Sequence, residues 1–347
     1  MNTAATSAPL RLAILGAAGL AGEALVRALG ESALPIDSLT LLGGGKALGR
    51  TLEFRGEDLG VTDTRQFDFT AVDLVISLAS AKVSGEWLPK ARDAGCAVID
   101  ASPASRGQAG VPLVVPGVND AVLLTPAGTC HPWVAVGSAY AAPLARVLAP
   151  LRDLGDLRAV ETTVLAAVSG AGRGAVEELA SQTARMLNGL DAGQPRLLPR
   201  KLAFNLIPEV EPFDEDGAAA PERQLAGELQ SLLGLPDLAV HATCVRVPVF
   251  FGHSWVVRLR FAGPVSPAAA AARLTDVPGV LMPADPLLGY PTPVTDAADS
   301  DALHLGRLRA DPAAAGTLDF WLVADNVRVG VAEPCLRVAE AMAAHRW

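Results

Sequence analysis

A glycine-rich turn is the first feature of the 347-residue sequence whose spacing suggests chemistry. Gly16, Gly19 and Gly22 follow the apolar run of residues 10–15 in the spacing GxxGxxG, and a helical pattern begins directly afterwards. Glycine permits a tight turn and close backbone approach, so a pyrophosphate can lie against the amide groups at the start of the helix. This spacing is a relative of the GxGxxG fingerprint, and a structural turn without a nucleotide is the alternative.

The end of the second predicted strand bears on the choice of nucleotide. NAD sites usually place an acidic residue there, where it holds the ribose hydroxyls. Residues 42–46 read Leu-Gly-Gly-Gly-Lys instead, and Arg50 follows closely. Lys46 and Arg50 could pair with a 2′-phosphate, which favours NADP over NAD. The alternative is a solvated loop with ordinary surface cations.

Cysteine is the other reactive side chain of the sequence. The four cysteines form no CxxC pair, so neither a disulfide scaffold nor a redox motif is predicted. The net charge of −9 argues against a nucleic-acid partner, which would need a clustered basic face. Residues 1–9 carry no targeting pattern, and the apolar run of residues 12–20 is too short to span a bilayer. We therefore expect a cytoplasmic protein with no membrane partner.

The elements that must position these residues follow from the hydrophobic pattern. In the first half, short apolar runs alternate with amphipathic stretches, which indicates βαβ units and a parallel sheet covered on both faces. The predicted strands are residues 10–15, 38–42, 74–78, 97–100, 113–116 and 133–136, with helices at 21–29 and 86–94.

After about Ser138 the pattern changes to that of a mixed α+β domain. Strands that alternate in polarity indicate a sheet with one exposed face. Helices are predicted at residues 141–151, 174–190, 221–235, 268–274 and 326–347, and strands at 158–167, 239–248 and 253–261.

Many short blocks in the same order resemble the aspartate-semialdehyde dehydrogenase family along nearly the whole chain. The chain is most similar to the Usg-like branch of that family, which keeps the fold while losing the catalytic cysteine. The blocks are residues 16–22, 77–80, 98–102, 112–119, 167–172, 203–208, 243–249, 290–293, 306–309 and 325–330.

The resemblance implies an α/β protein of two domains. A Rossmann-like NADP-binding domain would span residues 1–138, with a C-terminal helix, 326–347, returning to it. An α+β substrate and dimerisation domain with a mixed sheet would span residues 139–325, so a homodimer is expected. The cofactor contacts implied are Gly16, Ala18, Gly19, Leu20, Ala21, Gly22, Gly44, Lys46, Ser77, Ala79 and Asn326.

The resemblance also places candidates for substrate chemistry. His253 matches the family's acid/base histidine and Arg246 its carboxylate-binding arginine, while Arg106 would bind phosphate and Glu228 an amino group. On one strand a separation of seven puts residues 246 and 253 on opposite faces, so residues 248–252 must bend to let them converge. Without the resemblance, a hydrogen-bonded structural histidine is the alternative for His253.

Other family positions differ in this chain. The nucleophilic cysteine position falls on Ala139, and the family's glutamine, lysine and second arginine are replaced by Ala166, Ser231 and Phe251. We therefore expect a family member without thioester-forming activity. One alternative is an enzyme, either an active NADP-dependent aspartate-semialdehyde dehydrogenase or another carbonyl reductase. The other is a non-catalytic protein, either a sensor of NADP or of a small acidic metabolite, or a structural dimer partner.

Overall fold

The computed structural model describes residues 9–345 and Trp347. The targeting prediction for the first eight residues lies outside the described part of the chain. The chain divides into two compact units. Unit 1 runs to Ser138 and resumes at Val331, and unit 2 spans Ala139–Gly330.

Unit 1 is built on an eight-stranded sheet in the order β3-β4-β2-β1-β5-β6-β8-β7. Its neighbouring strands are parallel except for the antiparallel pair β3 and β4. The elements are β1 (Leu10–Leu15), α1 (Leu20–Glu31), β2 (Ile36–Gly43), β3 (Thr51–Phe54), β4 (Glu57–Asp63), β5 (Leu74–Ser77), α2 (Ala81–Asp93), β6 (Ala97–Asp100), β7 (Leu113–Val114) and β8 (Trp133–Val136).

Unit 2 contains a six-stranded sheet in the order β10-β9-β11-β14-β13-β12. It mixes parallel pairs at both edges with antiparallel pairs between them. The elements are α3 (Ala141–Leu151), β9 (Leu157–Ala166), α4 (Arg173–Leu187), α5 (Ala220–Leu233), β10 (Ala239–Arg246), β11 (His253–Phe261), α6 (Pro267–Thr275), β12 (Val280–Leu281), β13 (Leu303–Ala310) and β14 (Thr317–Ala324).

The last helix, α7 (Glu333–His345), packs in unit 1. Alternate residues of β1 explain the two layers of helices. Leu12 and Ile14 share a buried cluster with α1 and α7, whereas Ala13 and Leu15 share another with α2. Because successive side chains of a strand point to opposite faces, the continuous apolar run of β1 serves both layers.

The predicted fold class, an α/β unit followed by an α+β unit with a mixed sheet, is confirmed. The prediction missed β3, β4, β12, β13 and β14, and it began the terminal helix too early, because a π-helical turn, Arg328–Ala332, precedes α7. Of the helices in the described part of the chain, none has the length and apolar character needed to cross a bilayer.

Candidate functional site

The glycine turn of unit 1 is shaped by two close backbone approaches. Gly16 has φ of +86°, and a Cβ atom there would lie 2.9 Å from the Ala79 amide nitrogen. At Gly22 a Cβ atom would lie 2.4 Å from the Ala17 carbonyl oxygen. Side chains at either position would push the turn away from residues 77–80 or from α1. Glycine is therefore required by the fold as well as by any nucleotide.

The same turn exposes the amino end of α1. Gly19 is the N-cap, and a Cβ atom there would meet only the Gly16 carbonyl, at 3.3 Å. Leu20 and Ala21 open the helix, where backbone N–H groups have no acceptor within the helix and the helix dipole favours an anion. The turn thus fits the pyrophosphate of a dinucleotide.

The two cations predicted for a 2′-phosphate have different surroundings. Arg50 donates through Nη1 to the Ala18 carbonyl at 2.7 Å and through Nη2 to the Glu23 carboxylate at 2.7 Å. Arg50 therefore braces the glycine turn, and its contact with a 2′-phosphate stays a prediction. Lys46 lies exposed in a short 3-10 turn that follows Gly44. Of the two, Lys46 is the cation placed to meet a phosphate.

Ser77 and Ala79 line the turn that Gly16 approaches. The Ser77 hydroxyl is buried and lies 2.7 Å from the Ser84 hydroxyl of α2. Its side chain thus fixes this turn against α2, and the contact of Ser77 with a cofactor stays a prediction. Ala79 is partly exposed and contributes its backbone beside Gly16.

Arg106 joins the carboxyl ends of two neighbouring strands. Its Nε donates to the Val136 carbonyl at 3.0 Å, and its Nη2 donates to the Ala101 carbonyl. The nearby Asp100 carboxylate is buried and accepts from the hydroxyls of Ser102, at 3.0 Å, and Ser105, at 2.6 Å. These bonds hold the loop after β6, so Arg106 is fixed at the strand ends of unit 1.

In unit 2 the structure brings Arg246 and His253 together. Arg246 ends β10 and His253 begins β11, and these strands lie on opposite sides of β9. Residues 247–252 cross the end of β9, with Gly252 at φ of +89°. The predicted bend is confirmed, but by a crossover between two strands and not by a bulge in one.

Both side chains bind the same residue, Ala167. The Ala167 amide donates to His253 Nδ1 at 3.1 Å, and its carbonyl accepts from Arg246 Nη1 at 2.9 Å. An Nδ1 atom that accepts a hydrogen bond carries no proton, so the proton of the neutral imidazole is on Nε2. Burial and the neighbouring Arg246 charge lower the pKa of His253 well below its usual value. His253 is therefore a neutral hydrogen-bond donor through Nε2.

The open side of this pair is covered by a glycine. Gly170 is exposed, and a Cβ atom there would lie 3.0 Å from His253 Cε1 and 3.1 Å from Arg246 Nη1. Asn326 supports the same corner. Its buried Oδ1 accepts from the Gly252 amide and from the Ser169 hydroxyl, each at 3.1 Å. The predicted cofactor contact of Asn326 would therefore fall to its amide nitrogen.

Tyr140, which the sequence analysis did not single out, also belongs to this site. Its ring stacks on the His253 ring, with centroids 5.0 Å apart and planes 17° apart, and its hydroxyl is near the Arg246 charge. Burial raises the pKa of Tyr140, and Arg246 opposes this shift. An aromatic residue directly after position 139 was the signal that could have identified it.

Two further predicted positions complete unit 2. Ala139 lies just before α3, and its Cβ is 3.2 Å from where a Cβ atom on Gly330 would be. Glu228 is buried on α5, which packs against β10 and α3. The alanine at position 139 supplies no thiol. The contact of Glu228 with an amino group stays a prediction.

All four cysteines of the chain are buried. Burial raises the pKa of Cys96 and Cys130, and raises the pKa of Cys244 and of Cys335 to about 12. Since the thiolate is the nucleophilic form, these thiols are inert at neutral pH. Among the described residues, no three His, Cys, Asp or Glu side chains are grouped so that they could hold a metal ion.

A parallel sheet with a glycine-rich turn at the start of a helix, followed by a second unit with a mixed sheet, is the arrangement of a two-unit protein with a dinucleotide-binding type of fold. Residues 11–125 match the family described as semialdehyde dehydrogenase, NAD binding domain, and residues 148–329 match semialdehyde dehydrogenase, dimerisation domain. The chain belongs to the semialdehyde dehydrogenase family.

Relatives span almost the whole chain. A USG-1 protein homolog from Pseudomonas aeruginosa is 39% identical, covering 98% of this chain and 99% of its own length. Aspartate-semialdehyde dehydrogenase from Legionella pneumophila is 34% identical, covering 96% and 95%. The crystal structure of aspartate semialdehyde dehydrogenase II from Vibrio cholerae is 32% identical, with a TM-score of 0.91 over 98% of this chain and 100% of that one.

Proposed function

We propose that this chain is an NADP-binding, aspartate-semialdehyde dehydrogenase-like protein of the cytoplasm that does not form the thioester intermediate. The observation that carries the proposal is the state of its thiols. Position 139 is alanine, and the four cysteines are buried with raised pKa values. Covalent acyl transfer of this kind needs an accessible thiolate, which none of these side chains supplies.

The histidine supports the same conclusion. A base that activates a thiol must offer a nitrogen lone pair within reach of it. In His253 the Nδ1 lone pair accepts the Ala167 amide and Nε2 holds the proton. His253 is therefore suited to hydrogen-bond an oxygen of a ligand and not to take a proton from a thiol.

The nucleotide proposal rests on unit 1. The amino end of α1 and the glycine turn suit a pyrophosphate, and Lys46 is the exposed cation near the end of β2. Bound NADP(H) would supply hydride chemistry, while this chain's residues bind and orient it. The matched dimerisation domain supports a homodimer, and Arg246 supports a small acidic ligand.

The test measures binding and turnover separately. NADPH fluorescence should titrate to saturation, whereas aspartate semialdehyde with NADP and phosphate should give no turnover under conditions where the Vibrio cholerae enzyme turns over. Ala139→Cys alone should stay inactive, because Ala166 and Ser231 also depart from the family. Turnover by the native chain that iodoacetamide abolishes would refute the proposal, as would absence of NADPH binding below millimolar concentration. Carbonyl reduction that is insensitive to iodoacetamide would point to the reductase alternative.

A further inference from the structure

The backbone of Tyr140 is held in place by a buried tryptophan. Trp255 is fully buried on β11, and its indole Nε1 donates to the Tyr140 carbonyl oxygen at 3.2 Å. The Trp255 ring also meets the His253 ring edge-on, with centroids 6.0 Å apart and planes 62° apart. Since a buried indole N–H needs an acceptor, the carbonyl of Tyr140 is fixed at this point. Its side chain is thereby set over the arginine–histidine pair.

Tyr140 covers the two polar residues beneath it. His253 is 1% exposed and Arg246 is 4% exposed, whereas Tyr140 is partly exposed. The phenol ring stacks on one face of the imidazole, and the hydroxyl lies close enough to the guanidinium for the Arg246 charge to oppose the rise in the pKa of Tyr140. The tyrosine thus occupies the place that a small ligand would take, with its hydroxyl near the cation and its ring on the imidazole.

We infer that Tyr140 acts as an internal ligand of Arg246 and His253, so that an external carboxylate can bind there only by displacing it. The inference rests on the proposed non-covalent function, because a site that acylates a cysteine must admit the acyl group. An ionised carboxylate is a stronger partner for a guanidinium than a neutral phenol oxygen, because it brings an opposite charge and can accept two parallel N–H bonds. Displacement is therefore feasible, but it costs the stacking and burial of the ring.

Three substitutions separate the parts of this contact. Tyr140→Phe keeps the ring over His253 and removes the oxygen on Arg246. Tyr140→Ser removes both. Tyr290 is the other tyrosine of the chain and is 68% exposed, so Tyr290→Ser is the matched control.

The experiment titrates succinate, as a simple dicarboxylate, into the full chain and its variants by calorimetry. We expect the native chain and Tyr290→Ser to bind it weakly, Tyr140→Phe to bind several-fold more tightly, and Tyr140→Ser at least tenfold more tightly. The Cε1 proton of His253, followed by NMR, should shift when Tyr140 is replaced and shift again with succinate. A purely structural tyrosine would not give that second, ligand-dependent shift.

Equal succinate affinity in the native chain and Tyr140→Ser would overturn the inference, as would loss of binding in Tyr140→Ser while NADPH binding is retained. Retained NADPH affinity shows that the variant is folded. If Tyr140→Ser fails to fold, Tyr140→Phe decides, because an affinity equal to that of the native chain contradicts the role of the hydroxyl. Failure of the proposed function has a different signature, namely iodoacetamide-sensitive turnover by the native chain.

Discussion

The protonation state of His253 leads to a prediction about stability and pH. Burial and the Arg246 charge lower the pKa of this imidazole in the folded protein. The unfolded chain, with a histidine pKa of about 6.5, therefore binds more protons than the folded chain below that pH. The free energy of unfolding should fall as pH decreases through 6.5, and the contribution of His253 is fully present only above it.

The size of the effect follows from linkage. Below pH 6.5 a histidine that stays neutral in the fold costs about 1.4 kcal/mol for each pH unit. Because the folded pKa of His253 lies well below 6.5, the free energy of unfolding should fall at close to this slope just below pH 6.5. His304, partly buried beside Ser300, also has a lowered pKa from burial and should add a smaller effect of the same sign.

The assay is urea unfolding of the native chain, His253→Gln and His304→Gln at pH 7.5, 6.5 and 5.0. His253→Gln should be the less stable protein at pH 7.5 but should lose less stability on acidification, because it has no imidazole that takes up a proton on unfolding. NMR of the native chain should show a His253 resonance that does not titrate around pH 6.5, where a histidine of the unfolded chain would. A pH dependence that is identical in His253→Gln and the native chain, or stability that rises on acidification, would refute the reasoning.

Three further predictions concern the turn, the nucleotide and the thiols. Gly16→Ala should destabilise unit 1 by about 1–3 kcal/mol and weaken NADPH binding, since Gly16 has φ of +86° and its backbone lies close to Ala79. Thermal unfolding and NADPH titration test this prediction, and an unchanged melting temperature would contradict it. Lys46→Ala should weaken NADPH binding about tenfold while leaving NADH affinity unchanged, and equal losses for both nucleotides would exclude a 2′-phosphate contact. Ellman's reagent should find fewer than one reactive thiol in the native chain and four in guanidinium chloride; rapid reaction of one native thiol would contradict the buried state of the cysteines.

The fold was predictable where each element carries its own signal. The strands β1 and β6 and the helix α3 were predicted with their observed bounds, because apolar runs and amphipathic periods mark them directly. The strands β3 and β4 pair mainly with each other at the sheet edge, where their exposed positions are polar and the apolar run is short. Such strands are defined by a partner and not by their own hydrophobicity.

The site was predictable only in part. The sequence places Arg246 and His253 seven residues apart, but their convergence depends on β9 lying between the two strands. Arg50 looked like a surface cation because its partner, Glu23, lies 27 residues away in the chain. Tyr140 has a role only through contacts with residues more than a hundred positions away. Pairings of this kind are set by tertiary structure and leave no local pattern.

Arg246 and His253 both hydrogen-bond Ala167, and this gives them a structural role that does not depend on any reaction. Each holds the crossover at the end of β9, so replacing either one would loosen the sheet whether or not the chain catalyses a reaction. Mutational intolerance at these two positions would therefore be a poor diagnostic of turnover. Position 139 makes no such hydrogen bond, because the alanine side chain there has no polar atom.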